Sequence, residues 1–401
     1  MLPSRSALRN ASLALHDGIA QAIIQSRRPP AFHFNRKTPM KIVEIKTYST
    51  LYPVKDPFSN GMRTTRERPF GLVEITTDAG ITGWGEGATL PAPRALDTQV
   101  MGRDPFDYEV IWEALHRQGT DPAAISAVDI ALWDIMGKTL KQPIHKLLGG
   151  AFRTRVQAYA TGLFRRERSD PTTALVEEAR GYVDEGFKAM KMKVGFGPDY
   201  DIRNVAAVRR AIGDDILFAV DANCAYDRGG AIAVGQEIAK NNLMWFEEPI
   251  NADDVEGYIE IRRALNMRIS GAEQFRGRWA FRRMVQERAL DIIQPDVCVC
   301  GGLTEFRKIA AMASANHVRV IPHMFGTAIR LAATLHLLAV LPDSPRALAP
   351  FPTLLEYDMS ENALRTELAR EPIRHSNGIV TVPQAPGLGI EIDRDVLARY
   401  C

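Results

Sequence analysis

Leu217-Phe-Ala-Val-Asp221 and Met244-Trp-Phe-Glu247 each run through apolar residues and stop on a carboxylate. A short apolar run of this kind reads as a buried strand. The same phrase recurs along the middle of the chain. Val156–Thr161, Ala189–Val194, Ile216–Asp221, Met244–Glu247, Arg268–Glu273, Asp291–Asp296, Val318–His323 and Leu354–Tyr357 make eight runs. Amphipathic stretches lie between them, including Thr172–Glu185, Tyr200–Ile212, Ala231–Asn241, Val255–Leu265, Trp279–Arg288 and Leu303–Asn316. Strand–helix alternation implies right-handed crossovers and a parallel sheet. Eight strands fit a closed α/β barrel of the TIM type. The rival is an open doubly wound sheet. No glycine-rich phosphate loop follows the first strand, which disfavours its nucleotide-binding form.

The strand ends carry the chemistry. Lys193, Asp221, Glu247, Glu273, Asp296, His323 and Glu356 each lie at or beside the C-terminal end of a different run, at successive spacings of 28, 26, 26, 23, 27 and 33 residues. One acid in such a place is commonly a helix N-cap. Seven ionisable groups in register are better explained by a barrel mouth, where C-terminal strand ends converge.

Asp221, Glu247 and Glu273 fall on three consecutive strands. Three carboxylates aimed at one spot stay ionised only with a cation between them. Oxygen-only ligation selects a hard ion, Mg2+ first and Mn2+ as the alternative. Glu248 points away by the alternation of strand side chains, and Asn223 reads equally as a loop cap or as support for the site. Lys191 and Lys193 share the inner face of their strand, with Met192 outward. Two buried cations so close are expected to depress each other's pKa and make Lys193 a usable base. Asp296 and His323 end neighbouring strands and form a carboxylate–imidazole dyad, a second acid/base across the mouth. Glu356 is expected to be a protonated donor to a substrate oxygen, with Asp358 as its competitor. His33, His145, His317, His336 and His375 have no comparable setting.

Outward from the barrel, the front of the chain reads differently. Met40 opens a strand, Lys41–Tyr48, and Phe70–Ile75 and Ile81–Trp84 flank the turn signal Thr77-Asp-Ala-Gly80. Val110–Arg117 and Ala123–Lys141 read as helices. Tyr52–Arg66, rich in Pro, Asn, Gly and charge, reads as a mobile loop. Residues 1–39 hold six Lys or Arg and a single acid, Asp17. They resemble a transit peptide, but read best as a non-folded extension from a start codon placed too far upstream. The expected organisation is therefore an extension over 1–39, an α+β capping domain over 40–150, a barrel over 151–360, and a final segment over 361–401.

The chain has 50 Lys+Arg against 48 Asp+Glu, a net charge of +2. So small a charge argues against nucleic acid as a partner, and with no long apolar run no membrane partner is expected. Of the four cysteines only Cys298 and Cys300 are clustered, and that pair reads as small buried residues rather than a metal site; so few cysteines suit a cytoplasmic protein.

Several motifs resemble the mandelate racemase group of the enolase superfamily. They are Lys191-Met-Lys193, Val220-Asp-Ala-Asn223, Phe246-Glu-Glu-Pro249, Gly271-Ala-Glu-Gln274, Gln294-Pro-Asp296, Pro322-His323 and Leu355-Glu356, with Ala127–Lys138 in the front domain. The resemblance runs from about Met40 to the end. It implies a modified (β/α)7β barrel, an N-terminal capping domain, and a C-terminal segment that returns to the cap. It implies one Mg2+ per subunit on Asp221, Glu247 and Glu273, with Lys193 and His323–Asp296 as bases and Lys191 stabilising an enediolate. Tyr159–Gly162, Lys193–Gly197, Cys298–Gly302 and Pro386–Ile392 are most similar to sugar-acid lactone cycloisomerases of the galactarolactone type. A sugar-acid dehydratase, then a racemase or epimerase, is the alternative. The resemblance also suggests a homo-oligomer, from dimer to octamer.

Overall fold

The computed structural model describes residues 40–344, 347–348 and 350–401; the expected extension over 1–39 lies outside the described residues. Residues Met40–Cys401 form one compact unit.

The front of this unit is a three-stranded antiparallel sheet. β1 (Ile42–Ser59) pairs with β2 (Thr64–Thr77), which pairs with β3 (Thr82–Gly87). Helix Pro122–Leu140 packs on the sheet. It starts at Pro122, with the Asp121 carboxylate accepting from Ala123 N at 3.0 Å, and ends at Lys141 in the left-handed region (φ 53°). Gly85 lets it lie close, since a Cβ there would collide with the Ala127 carbonyl.

Here the expected mobile loop is corrected. Tyr52–Arg66 lies almost wholly within β1 and β2, and only Asn60–Arg63 turns. The Asn60 side-chain oxygen accepts from Met62 N at 3.0 Å and Arg63 N at 2.9 Å, closing the turn. Pro53 and Pro57 are tolerated because β1 is an edge strand whose register shifts between Pro53 and Phe58. Tyr52, Val54 and Phe58 are buried, Tyr52 and Val54 between exposed neighbours and Phe58 between half-buried ones.

The parallel strands are β4 (Arg155–Gly162), β5 (Ala189–Lys193), β6 (Leu217–Asp221), β7 (Leu243–Glu247), β8 (Ile269–Gly271), β9 (Ile292–Ile293), β10 (Arg319–Val320) and β11 (Leu354–Asp358). They pair in chain order from β4 to β10, and β11 lies on the other side of β4. All eight expected runs are present, although β8, β9 and β10 are short. The free edges β10 and β11 meet near their C-terminal ends, where Met324 N donates to Glu356 at 3.0 Å. With helices following β4 to β10, this is the TIM-type barrel with an α+β cap that the sequence implied. On β5, Met190 and Met192 pack outward into the main core, while Lys191 is buried inside.

The chain after β11 adds a short hairpin, β12 (His375–Ser376) and β13 (Ile379–Thr381), to the start of β4. It then returns to the front sheet. Arg394 pairs with Glu74, and Leu51 N donates to Tyr400 O at 2.8 Å. Cys298 and Cys300 are buried free thiols, as expected. Among the described residues, no helix is long and apolar enough to cross a membrane.

Candidate active site

The parallel register decides which side chains meet. Lys193 lies beside Asp221, and Asp221 beside Glu247, across β5, β6 and β7. Glu273 follows β8, Asp296 follows β9, His323 follows β10, and Glu356 lies on β11. All eight residues expected at the site, Lys191 included, gather at this one end of the barrel.

Asp221, Glu247 and Glu273 each present a carboxylate oxygen, and the three oxygens lie within 4.8 Å of one another. Glu247 accepts from Gln294 Nε2 at 2.7 Å and Trp245 Nε1 at 2.9 Å, which fixes its plane. Asn223 N donates to Asp221 at 2.8 Å. Glu273 Oε2 is buried without a hydrogen-bond partner among the described residues. Burial drives the Glu247 carboxyl above the usual range, helped by Asp221, Glu356 and Glu273 and opposed by Lys191. A compact, all-oxygen, charge-frustrated set with one carboxylate oxygen that accepts no hydrogen bond among the described residues fits a hard divalent cation. Glu248 turns away, as expected. It reaches Cys224 Sγ at 3.6 Å, and burial and the neighbouring Glu273 and Asp221 push its carboxyl well up.

The lysines correct the sequence reading. Lys191 Nζ stands 2.5 Å from Glu247, 2.9 Å from Glu356 and 3.6 Å from Asp221, and Lys193 bonds Asp221. Burial pulls both ammoniums down, but the surrounding carboxylates outweigh it and hold both pKa values above the ordinary lysine range. Mutual repulsion is the weaker effect: on Lys193 the pull of Asp221 exceeds the push of Lys191, and on Lys191 the pull of Glu247 and Glu356 prevails.

Glu356 is also corrected. It accepts from Thr161 Oγ1 at 2.7 Å and Met324 N at 3.0 Å and pairs with Lys191. Burial alone would raise its carboxyl, yet Lys191, His323 and Lys193 pull it down to about 2, so it is ionised rather than a protonated donor. Asp358 does not compete with it. Its carboxylate binds Arg68 at 2.8 Å and Ser360, on the cap side.

His323 and Asp296 form the expected dyad, Nδ1 to Oδ2 at 2.6 Å. His323 Nε2 is 3.4 Å from Glu273 and 4.0 Å from Glu356. Burial lowers its pKa, but Glu273, Glu356 and Asp296 together raise it to about 10. A cavity of about 780 Å³ opens above Lys193, Glu273, His323 and Glu356, roofed by cap residues from Phe58 to Phe70. Sequence reasoning missed three contributors: Gln294, quoted in a motif but given no task; Arg68, whose guanidinium lies 3.9 Å from the Phe325 ring centre; and Arg330, which meets Asp296 at 2.9 Å.

Family models match both parts of the chain. The Mandelate racemase / muconate lactonizing enzyme N-terminal domain covers residues 42–149, and the Enolase C-terminal domain-like model covers 174–396. The chain belongs to the enolase superfamily. Within it, the mandelate racemase/muconate lactonizing enzyme family is its place, and it is an enzyme of that family. It is similar to the D-galactarolactone cycloisomerase of Agrobacterium fabrum, at 38% identity over 373 residues covering 90% of this chain and 99% of that one. The crystal structure of the 3,6-anhydro-D-galactonate cycloisomerase from Zobellia galactanivorans matches with a TM-score of 0.79 and 38% identity, covering 90% of this chain and 99% of that chain. A lysine-to-alanine variant of L-talarate/galactarate dehydratase, liganded with Mg and L-glucarate, matches at 26% identity with a TM-score of 0.79, covering 93% and 95%.

Proposed function

We propose that this chain is a Mg2+-dependent cycloisomerase of sugar-acid lactones, galactarolactone in type, that removes the proton next to the substrate carboxylate. One observation carries the reading: two bases, Lys193 on β5 and His323 beyond β10, flank a carboxylate triad on the strands between them. Asp221, Glu247 and Glu273 hold the ion in this reading. A divalent cation bound there supplies positive charge for the negative charge that develops on the substrate carboxylate, and offsets the carboxylates' pull on both lysines.

The chain's own groups do the rest. Lys193 takes the α-proton. Lys191, fixed by Glu356, directs its ammonium toward the oxygen of the developing enediolate. Glu356 acts as the anchor of Lys191 and of the loop after β10. His323, oriented by Asp296, gives its proton to the leaving ring oxygen on the other side. Phe58, Phe164 and Phe325 line the cavity and limit water.

A sugar-acid dehydratase is the second reading, favoured by the match to L-talarate/galactarate dehydratase. It uses the same α-proton step, with a β-hydroxyl leaving in place of a ring oxygen. Incubation with Mg2+ and a panel of aldonic and aldaric acids and their lactones in D2O, followed by NMR, separates the two. Consumption of a lactone supports cycloisomerisation, consumption of open acids alone supports dehydration, and no consumption of any member refutes both. One ion per subunit and assembly as a homo-oligomer are proposed on the resemblance, and a cytoplasmic setting on the few cysteines. Calorimetric titration with Mg2+ and light scattering test the first and last.

A further inference from the structure

The buried charges around the His323–Asp296 pair do not end with it. Arg330, in helix Ala328–Val340, donates from NH1 to Asp296 Oδ2 at 2.9 Å, the oxygen that His323 Nδ1 also meets. Its Nε donates to Glu86 Oε1 at 2.9 Å. Glu86 is the penultimate residue of β3, in the front sheet, and is fully buried. Its other oxygen accepts from Thr327 N at 3.1 Å, Thr327 Oγ1 at 2.5 Å and Arg330 N at 3.2 Å, at the N-terminus of the helix that follows the His323 loop. A carboxylate is well placed on those free N–H groups. Gly326, in that loop, has no room to be anything larger, because a Cβ there would overlap both Arg330 Nε and Glu86 Oε1.

We propose that Glu86 and Arg330 are positioning residues for His323, forming a buried run Glu86–Arg330–Asp296–His323 by which the cap sets the orientation of the second acid/base. The inference rests on the role given to His323 above. The planar fork of arginine meets the two carboxylates from two different nitrogens, Nε and NH1, a geometry that the single ammonium of lysine does not reproduce. Groups that orient a catalytic ligand or base typically matter by roughly tenfold to a hundredfold.

Three variants test it: Glu86→Gln, Arg330→Lys and Gly326→Ala. Each is first checked for folding by circular dichroism. In the folded variants kcat is expected to fall roughly tenfold to a hundredfold, with KM and Mg2+ affinity within about twofold. Exchange of the α-proton with D2O, the Lys193 side of the reaction, is expected to fall less than product formation. A readout without substrate runs beside this one. In 15N-histidine-labelled protein, the Nδ1 proton signal lost in His323→Asn is expected to shift or broaden in the three variants. An unmoved signal in folded Arg330→Lys and Glu86→Gln proteins overturns the inference, as does equal loss of exchange and product formation. If the unmodified protein consumes no sugar acid, the functional reading fails, and the imidazole signal alone decides whether the run sets His323.

Discussion

Glu247→Gln separates a metal ligand from a structural group. In the metal-free protein Glu247 carries opposing interactions. Asp221 and Glu273 present oxygens within 4.8 Å, and at an effective dielectric of about 20 each such pair repels by about 3.5 kcal/mol or more. Lys191, at 2.5 Å, attracts by about 7 kcal/mol on the same scale. Removing the charge relieves two repulsions and loses one attraction of about equal size. The amide still offers an oxygen to Gln294 and Trp245. The variant is therefore expected to fold and to melt within a few degrees of the unmodified protein when both are stripped of metal. Mg2+ binding should behave differently, because one of three anionic ligands is gone. A unit charge about 4 Å from the ion is worth about 4 kcal/mol per ionic charge at that dielectric, so affinity should fall by at least about a hundredfold. In thermal scans, Mg2+ at about a hundred times its Kd stabilises the unmodified protein by about 2.7 kcal/mol, and the same concentration should give the variant almost nothing. Calorimetric titration measures the affinity directly. Unchanged Mg2+ affinity in Glu247→Gln, or a protein that fails to fold at room temperature, would refute the reasoning.

Lys193→Ala and His323→Asn should each lower turnover by roughly a hundredfold or more, while Mg2+ affinity changes little; α-proton exchange in D2O should survive, if in either, in His323→Asn. Deleting residues 1–39 should leave the melting temperature and activity unchanged, and a fall of many degrees would show that the extension docks. Burial raises Asp129 from its ordinary 3.8 to about 7, and its contribution to stability is present below the lower value and lost as pH rises through the upper one. Asp129→Asn, with Thr304 N still able to donate to the side-chain oxygen, should therefore lose less stability than the unmodified protein between pH 4 and pH 7, read by urea unfolding at each pH. An equal loss in both proteins would show that Asp129 is not the titrating group.

The barrel was legible because seven of the eight runs lead to an ionisable residue at or beside their C-terminal ends, and the spacing of those residues is the strand–helix repeat itself. The cap hairpin was not. Tyr52–Arg66 looks like a loop because its outward residues are polar or proline, while the inward Tyr52, Val54 and Phe58 declare themselves only against a partner. Site membership was legible and site electrostatics were not. Two adjacent lysines suggest mutual repulsion until their distances to Glu247, Glu356 and Asp221 are known, and those distances reverse the sign. Glu356 and Asp358 share a strand face by period two, and sequence alone has no means of separating them. Arg68, which lies far away in the chain, claims Asp358. The link from Glu86 to Arg330 spans 244 positions and leaves no local signal at either end.

The most direct test is turnover of a sugar-acid lactone by protein stripped with EDTA, before and after Mg2+ is restored. Loss of turnover on stripping and its full return with Mg2+ is the expected result, since Asp221, Glu247 and Glu273 converge on one spot and, among the described residues, only Lys191, Lys193 and His323 face them as counter-charges. Undiminished turnover in the metal-free protein would contradict it.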